Sequence, residues 1–162
     1  MEIERKWMVE GWPEKALPLI EQHEMRQGYI SVFPTVRIRE EKRNDEEPVY
    51  VLCFKSAGGL VRKEIEMDIP KEKFMELEDL IGLPLVPKLR KTYLLPGNLH
   101  LEVNQVDQDA DTAFWYAEVE FESTSQALLW TPAEAGLESY LTEEVTGKPG
   151  KSMGAYWKET RL

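Results

Sequence analysis

Residues 1–9, MEIERKWMV, place charged side chains at alternate positions of a segment that has the pattern of a β-strand. Successive side chains of a strand point to opposite faces, so Glu2, Glu4 and Lys6 share one face. Ile3 and the tryptophan lie on the other face. An ordinary strand would bury that apolar face and leave the three charges in water. Whether the charged face has a function therefore depends on the other strands of the chain.

The composition is that of a globular protein with a high charge load. The chain is 42% hydrophobic and 31% charged, fits one domain over residues 1–162, and contains no repeat or linker. The net charge of -10 argues against a general binder of nucleic acid or anionic membranes, because both need a basic surface. A small anionic ligand is still compatible with this charge, since basic residues can cluster inside an acidic protein.

Cys53 is the only cysteine, which excludes an intrachain disulfide and a thiolate zinc cluster. In the predicted strand it shares a face with Lys55, where a small packing residue is its simplest interpretation. No apolar run approaches the roughly 20 residues that cross a bilayer, and the acidic N-terminus lacks a signal-peptide core. We therefore expect a cytoplasmic protein with no membrane partner.

Alternation and turn residues predict eight strands and few helices. A helix is predicted over 70–82, a second over 123–130 behind a serine or threonine cap, and a short helix or turn over 13–22. The segment after residue 130 is predicted to be a tail interrupted by glycine and proline. The predicted strands span 1–9, 24–31, 35–41, 49–56, 60–69, 85–95, 99–106 and 114–122. Hairpin-linked strands with few helices predict a mainly β (α+β) fold with an antiparallel sheet.

Charged residues occupy one face of nearly every predicted strand, and their signs are sorted by strand. The basic positions are Arg37, Arg39, Lys55, Lys88 and Arg90, the acidic positions are Glu102, Glu118 and Glu120, and the strand over 60–69 combines Arg62 with Glu64 and Glu66. An antiparallel sheet with one face in water would explain a polar face. It does not explain the sorting, because like charges two residues apart repel and contribute nothing to folding.

Sorting by sign is explained if the sheet closes into a barrel. About eight antiparallel strands enclose an interior that holds one small ligand. Charges that line such an interior are costly unless they are paired or bind ions. A polyanion with a divalent metal satisfies both signs, since arginine and lysine bind phosphate oxygens and clustered carboxylates bind Mg²⁺ or Mn²⁺.

The ordered set of these motifs resembles the CYTH-domain proteins, the superfamily of triphosphate tunnel metalloenzymes of the class IV adenylyl cyclase and thiamine triphosphatase type. The family's hallmark, an N-terminal Glu-x-Glu-x-Lys, is matched by Glu2, Glu4 and Lys6. The further matches run in order along nearly the whole chain: QGYI over 27–30, Arg37-x-Arg39, Lys55 at a strand end, RKEIE over 62–66, Lys88-x-Arg90, LEV over 101–103 and AEVEFE over 117–122. Each motif is weak alone, and the ordered set is specific.

The resemblance implies an eight-stranded antiparallel β-barrel tunnel with flanking helices. It also implies a phosphohydrolase that acts on inorganic triphosphate or a small organic triphosphate with Mg²⁺ or Mn²⁺. The implied metal ligands are Glu2, Glu4 and Glu120 for one ion, Glu102 and Glu118 for a second, and Glu64 or Glu66 as a further contact. The implied phosphate-binding residues are Lys6, Arg37, Arg39, Lys55, Arg62, Lys88 and Arg90. The implied catalytic residues are Glu4, Lys55, Glu102 and Glu118.

The sequence departs from the family pattern in two places. Asn104 lies where many members have an acid two residues after Glu102, which predicts a weaker or water-completed second metal site. The tail over 144–157, EVTGKPGKSMGAYW, is similar to the family's C-terminal VTG segment, but Lys148 and Lys151 stand among residues that differ from the usual continuation. The arrangement of the tail over the tunnel mouth is therefore not predicted.

Three alternatives remain open from the sequence. A class IV adenylyl cyclase on the same scaffold would make cyclic AMP from ATP and would need an adenine pocket, which no motif announces. A non-catalytic binder of polyphosphate or nucleotide would be favoured by missing metal carboxylates, most of which are present. A purely structural barrel would not need the ordered motifs. The oligomeric state is also open, with a homodimer as one outcome.

Overall fold

Antiparallel strands form one continuous sheet in the computed structural model, which describes residues 1–162. Its strands are β1 (Glu2–Val9), β2 (Leu19–Ser31), β3 (Thr35–Arg43), β4 (Val49–Lys55), β5 (Val61–Arg62), β6 (Glu64–Asp68), β7 (Val86–Leu95), β8 (Leu99–Val106), β9 (Phe114–Glu120) and β10 (Glu143–Glu144). Its α-helices are α1 (Lys71–Ile81), α2 (Thr124–Leu129) and α3 (Met153–Arg161). No helix has the length and apolar character that crossing a bilayer requires.

The sheet nearly closes into a barrel. Two consecutive segments, β5 and β6, pair with strands from opposite ends of the sheet and so connect these ends. The strand order is β10-β1-β9-β8-β7-β2-β3-β4-β6, with β6 paired to β4. The segment just before β6 is β5. It pairs with β1, where Glu2 lies opposite Arg62 and Ile3 opposite Val61. The predicted antiparallel barrel is therefore confirmed. If β5 and β6 are counted as one strand, there are nine strands and not eight, and the additional one is the two-residue β10.

The apolar cores lie outside the barrel, between its outer surface and the helices. Trp7 points outward from β1 and packs with Trp130 and other apolar residues beside α2. On another side, Phe74 of α1 and Trp157 of α3 belong to a second core cluster with Ile38 of β3. The outward residues of each strand therefore supply the hydrophobic burial, which leaves the inner face available for charged residues.

The structure differs from the sequence prediction in two places. Residues 13–22, predicted to be a short helix or turn, contain no helix, and β2 begins at Leu19, which pairs with Tyr93 of β7. Pairing along the whole of β7 outweighs the weak local helical preference. The tail, predicted as irregular, ends in α3, whose N-terminal Ser152 accepts a hydrogen bond from the Ala155 amide at 3.0 Å.

The two other predicted helices are present. The first, α1, ends at Gly82, whose φ of 66° is in the left-handed region that glycine adopts without strain. The second, α2, is capped by Ser123, whose hydroxyl accepts a hydrogen bond from the Gln126 amide at 3.1 Å.

Candidate active site

The barrel encloses a cavity of about 730 Å³ that opens to solvent. Every side chain that the sequence suggested for the site lines this cavity, seven of them acidic and seven basic. They are Glu2, Glu4, Glu64, Glu66, Glu102, Glu118, Glu120, Lys6, Arg37, Arg39, Lys55, Arg62, Lys88 and Arg90. The structure thus brings the whole set into one tunnel, because alternate residues of closed strands all face inward.

The acidic wall of the tunnel comes chiefly from β1 and β9. Their register places Glu4 opposite Glu120 and Lys6 opposite Glu118. Directly opposed carboxylates destabilise a strand pair unless a proton or a cation lies between them. This wall therefore carries more negative charge than its own lysine neutralises.

Lys55, at the end of β4, joins the acidic residues at the closure of the barrel. Its Nζ donates to Glu2 Oε1 at 3.2 Å and lies 3.1 Å from Glu64 Oε2. Burial, opposed by Lys55, raises the pKa of Glu2. Burial also acts on Glu64, but the charge of Lys55 prevails and lowers the pKa of that carboxyl. One lysine thus holds two carboxylates from different strands.

The basic wall comes from β3 and β7 on the other side. Arg39 donates to Gln27 Oε1 from Nε at 3.3 Å and from Nη2 at 3.1 Å. Arg90 donates to Asn104 Oδ1 at 2.8 Å and to Glu102 Oε2 at 3.2 Å. The buried Asn104 therefore holds an arginine, and its amide oxygen already has a hydrogen-bond donor.

Glu4 and Glu118 form a coupled pair of carboxyl groups. Burial, together with the negative charge of Glu118, raises the pKa of Glu4 well above its usual range. Burial also opposes ionisation of Glu118, but the hydrogen bond from Glu4 and the charges of Lys6 and Arg90 outweigh it and lower the pKa of Glu118 to about 2. The two carboxyl groups therefore have pKa values shifted in opposite directions.

Lys88 is a deeply buried base of the tunnel. Its side chain is 3% exposed, and burial, followed by the charges of Arg39, Arg90 and Arg37, lowers its pKa well below the usual lysine value. Its Nζ donates to the Tyr116 hydroxyl at 2.8 Å. A lysine in such surroundings gives up its proton readily and can then accept one.

Arg37 is buried beside the cavity with its Nε lacking any hydrogen-bond partner. It has no carboxylate within ion-pair distance, unlike Arg90 and Lys55. A buried guanidinium without a partner is costly, and an anion in the cavity would remove that cost. This orphaned donor is direct structural support for an anionic ligand.

The carboxylates fit a hard divalent cation in donor type and in excess charge. Glu2, Glu4 and Glu120 line the same tunnel, but they do not bring three oxygens within 4.8 Å of one another. Glu102 and Glu118 both lie near Arg90, at 3.2 and 3.9 Å. Metal binding at either place would therefore draw carboxylates together or away from their present cations.

Sequence reasoning missed several lining residues. Tyr116 lies two positions before Glu118, and its ring is 4.3 Å from Lys6 Nζ, so the alternation of β9 was a usable signal. Tyr29, inside the quoted QGYI motif, also lines the cavity. The tail contributes Lys151 and Lys158 to the lining. The backbone carbonyl of Lys151 accepts a hydrogen bond from Lys6 Nζ at 2.6 Å. No local pattern foretold the position of the tail.

Comparisons with known proteins give consistent results. An inorganic triphosphatase from Nitrosomonas europaea is 32% identical over 145 residues, which are 90% of this chain and 89% of that protein. The crystal structure of the inorganic triphosphatase NE1496 matches at 25% identity with a TM-score of 0.61, over 96% of this chain and 93% of the other. No family model matches the chain.

A more distant structure shares the fold. It is a putative adenylyl cyclase from Hippeastrum, HpAC1, described as having a dominant triphosphatase activity. The two chains are 19% identical with a TM-score of 0.62, over all of this chain (100%) and 97% of that one.

Proposed function

The chain belongs to the CYTH superfamily of triphosphate tunnel metalloenzymes, and on that premise we propose that it hydrolyses inorganic triphosphate or a small organic triphosphate. The observation that carries the proposal is the tunnel itself, in which a basic wall with an orphaned arginine faces a wall of excess carboxylates. A triphosphate with a divalent cation is complementary to both walls.

The basic residues would hold the phosphate oxygens along the tunnel. Arg37 and Arg39 are adjacent inward residues of β3, so their guanidinium groups are suited to neighbouring phosphates. The remaining members of this set are Lys6, Lys55, Arg62 and Arg90. Because phosphoryl transfer depends mainly on positioning and charge stabilisation, such a set supplies much of what the reaction needs.

The proposed cofactor is Mg²⁺ or Mn²⁺. Its candidate ligands are Glu2, Glu4 and Glu120, with Glu102 and Glu118 for a second ion and Glu64 and Glu66 as further contacts. When bound, a divalent ion neutralises phosphate charge and lowers the pKa of bound water. The raised pKa of Glu4, caused by burial and by the charge of Glu118, supports its place in this set, because a bound cation would offset the unfavourable ionisation of this carboxyl.

Lys88 is the candidate general base for the attacking water. In its neutral form it would accept a proton as water attacks the terminal phosphorus and the bond to the bridging oxygen breaks, which releases phosphate and diphosphate from inorganic triphosphate. The Tyr116 hydroxyl fixes the position of its amine. This role differs from the phosphate contact expected from the sequence, and the buried, cation-rich surroundings of Lys88 are the reason for the change.

A substrate panel tests the proposed function. Inorganic triphosphate, ATP, other nucleoside triphosphates and thiamine triphosphate are incubated with Mg²⁺, Mn²⁺ or EDTA, and phosphate, diphosphate and cyclic AMP are measured. We expect metal-dependent phosphate release without cyclic AMP. Cyclic AMP from ATP would indicate a cyclase, and tight triphosphate binding without any product would indicate a binding protein.

The remaining expectations are also proposals. We propose that the chain acts as one domain over 1–162 in the cytoplasm, on a small-molecule substrate and without nucleic-acid or membrane partners, in keeping with its net charge of -10. A homodimer stays a prediction, which light scattering coupled to size-exclusion chromatography tests.

A further inference from the structure

A buried sulfur donor lies in the sheet next to the tunnel carboxylates, although it does not itself line the cavity. Cys53 lies on the inner face of β4, where the strand register places it between Arg37 of β3 and Glu66 of β6. The thiol is 1% exposed and makes no hydrogen bond. Its Sγ and one carboxylate oxygen each of Glu64 and Glu66 all lie within 4.8 Å of one another.

This is the one place in the structure where three metal-binding side chains already converge to that distance. Glu66 is exposed, whereas the buried Cys53 thiol points toward these carboxylates without a hydrogen-bond partner. The cluster therefore combines a preassembled geometry with a buried donor that has no partner, and the two observations together point to a cation.

The donor set selects a different kind of cation from the rest of the tunnel. Carboxylates alone suit Mg²⁺ and Mn²⁺, whereas a thiolate favours Zn²⁺ and other soft or borderline ions. We propose that Cys53, Glu64 and Glu66 form a site for a thiophilic divalent cation such as Zn²⁺ or Cd²⁺. On binding, the thiol releases its proton to solvent and the sulfur–metal bond forms, with no change of oxidation state.

Binding at this site would interfere with the tunnel. Glu64 at present lies 3.1 Å from Lys55 Nζ, and Lys55 in turn contacts Glu2. A cation bound through the Glu64 carboxylate would compete with Lys55 for that carboxylate. The thiophilic ion would therefore disturb a phosphate-binding lysine and a candidate metal ligand, and we expect it to inhibit. This inhibitory consequence rests on the proposed function, whereas the cation site does not.

Cadmium absorption tests the site without any need for activity. Because Cys53 is the only cysteine, a cadmium–thiolate charge-transfer band can arise only from this residue. We expect the band to saturate at one equivalent of Cd²⁺ in the wild type, to disappear in C53S and C53A, and to need at least about tenfold more Cd²⁺ in E66Q. Zn²⁺ should bleach it and Mg²⁺ should not.

Two outcomes of the titration overturn the site. One is the absence of the band in the wild type, and the other is a band with unchanged affinity in both E64Q and E66Q, which would mean that the thiol binds alone. Glu46→Gln is the matched control, since Glu46 is exposed and pairs with Arg43 away from the tunnel. Circular dichroism of C53S and C53A checks that both variants fold.

Inhibition is measured separately, with Mg²⁺ and inorganic triphosphate at fixed concentrations. We expect C53A to need about tenfold more Cd²⁺ than the wild type for half-inhibition. Equal inhibition of both would overturn the inhibitory consequence. A wild type that shows the absorption band but hydrolyses no triphosphate would overturn the proposed function and leave the cation site standing.

Discussion

In the acidic wall of the tunnel, Glu4 of β1 neighbours Glu118 of β9, whose negative charge adds to burial in raising the pKa of Glu4 well above its usual range. Burial also opposes ionisation of Glu118, but Lys6 and Arg90 help to lower its pKa to about 2. The two carboxyl groups lie at the place where a divalent cation is proposed to bind.

Glu4→Gln replaces the carboxyl by an uncharged amide of nearly the same shape. We expect metal-dependent phosphate release to fall by about 100-fold or more, because the amide cannot become a carboxylate ligand. The melting temperature without metal should stay unchanged. Initial rates with Mg²⁺ and calorimetric melting check both, with Glu10→Gln, an exposed residue just after β1, as the control. Full activity of Glu4→Gln would refute the metal role.

Arg39→Gln removes a buried guanidinium from the basic wall. We expect the KM for inorganic triphosphate to rise about 10- to 100-fold, because charge-assisted hydrogen bonds contribute about 1.5 to 3 kcal/mol. Arg43→Gln is the matched control, since Arg43 lies on the same strand, is exposed, and pairs with Glu46. If KM and kcat of Arg39→Gln both equal those of the wild type, the phosphate-binding wall is misplaced.

Lys88→Arg tests the general base, because arginine stays protonated at the working pH. We expect kcat to fall by about 100-fold or more with little change in KM. In the wild type, kcat should rise as the pH increases through the lowered pKa of Lys88, since the neutral amine is the active form. The variant should lose this rise. Lys91→Arg, an outward residue of the same strand beside Trp12, is the control. A wild-type pH profile in Lys88→Arg would exclude the role.

Asp107 fastens the C-terminal helix to the barrel. Its Oδ2 accepts from Arg161 Nη1 at 2.7 Å and from the Tyr156 hydroxyl at 2.6 Å. Burial acts to raise the pKa of Asp107, but these two hydrogen bonds prevail and lower it. The ionised form therefore stabilises the fold above the unfolded-state pKa of about 3.9, and the contribution is lost as the pH falls through the lower folded-state pKa.

We expect Asp107→Asn to lower the free energy of unfolding by about 2 kcal/mol at pH 7, because it weakens two hydrogen bonds to a charged group. The difference from the wild type should shrink as the solution is acidified below pH of about 4. Urea denaturation at both pH values measures it, with Asp111→Asn in the exposed loop as the control. A difference that is the same at both pH values would contradict the assignment to the ionised carboxylate.

The tunnel lining could be predicted because it depends on strand alternation alone. Once Arg37, Arg39 and Glu118 are assigned to strands, the two-residue repeat of a strand determines which face each of them occupies. The sorted charges and the ordered motifs then predict that the sheet closes into a barrel. The same alternation places Tyr116 on the inner face with Glu118, although a tyrosine carries no charge that would mark it as part of the lining.

Other features depend on contacts that no local pattern contains. The C-terminal helix packs against β2 at Gly28, where a Cβ would contact Leu85 and Trp157, and this tertiary fit decides the position of the tail. The lowered pKa of Lys88 depends on burial and on arginines of β3 and β7, two strands that β2 brings together although they are far apart in the sequence. Residues 19–22 belong to β2 because pairing with β7 extends that strand beyond what its own sequence indicates.

The most direct test of the tunnel account is a crystal structure with Mn²⁺ and a non-hydrolysable imido analogue of triphosphate, in which anomalous scattering locates the metal. We expect manganese against Glu4 and its neighbouring carboxylates, and phosphate oxygens within hydrogen-bond distance of Arg37 Nε and of Arg39. Manganese and analogue bound on the outer surface, with Arg37 still unpartnered, would contradict the account.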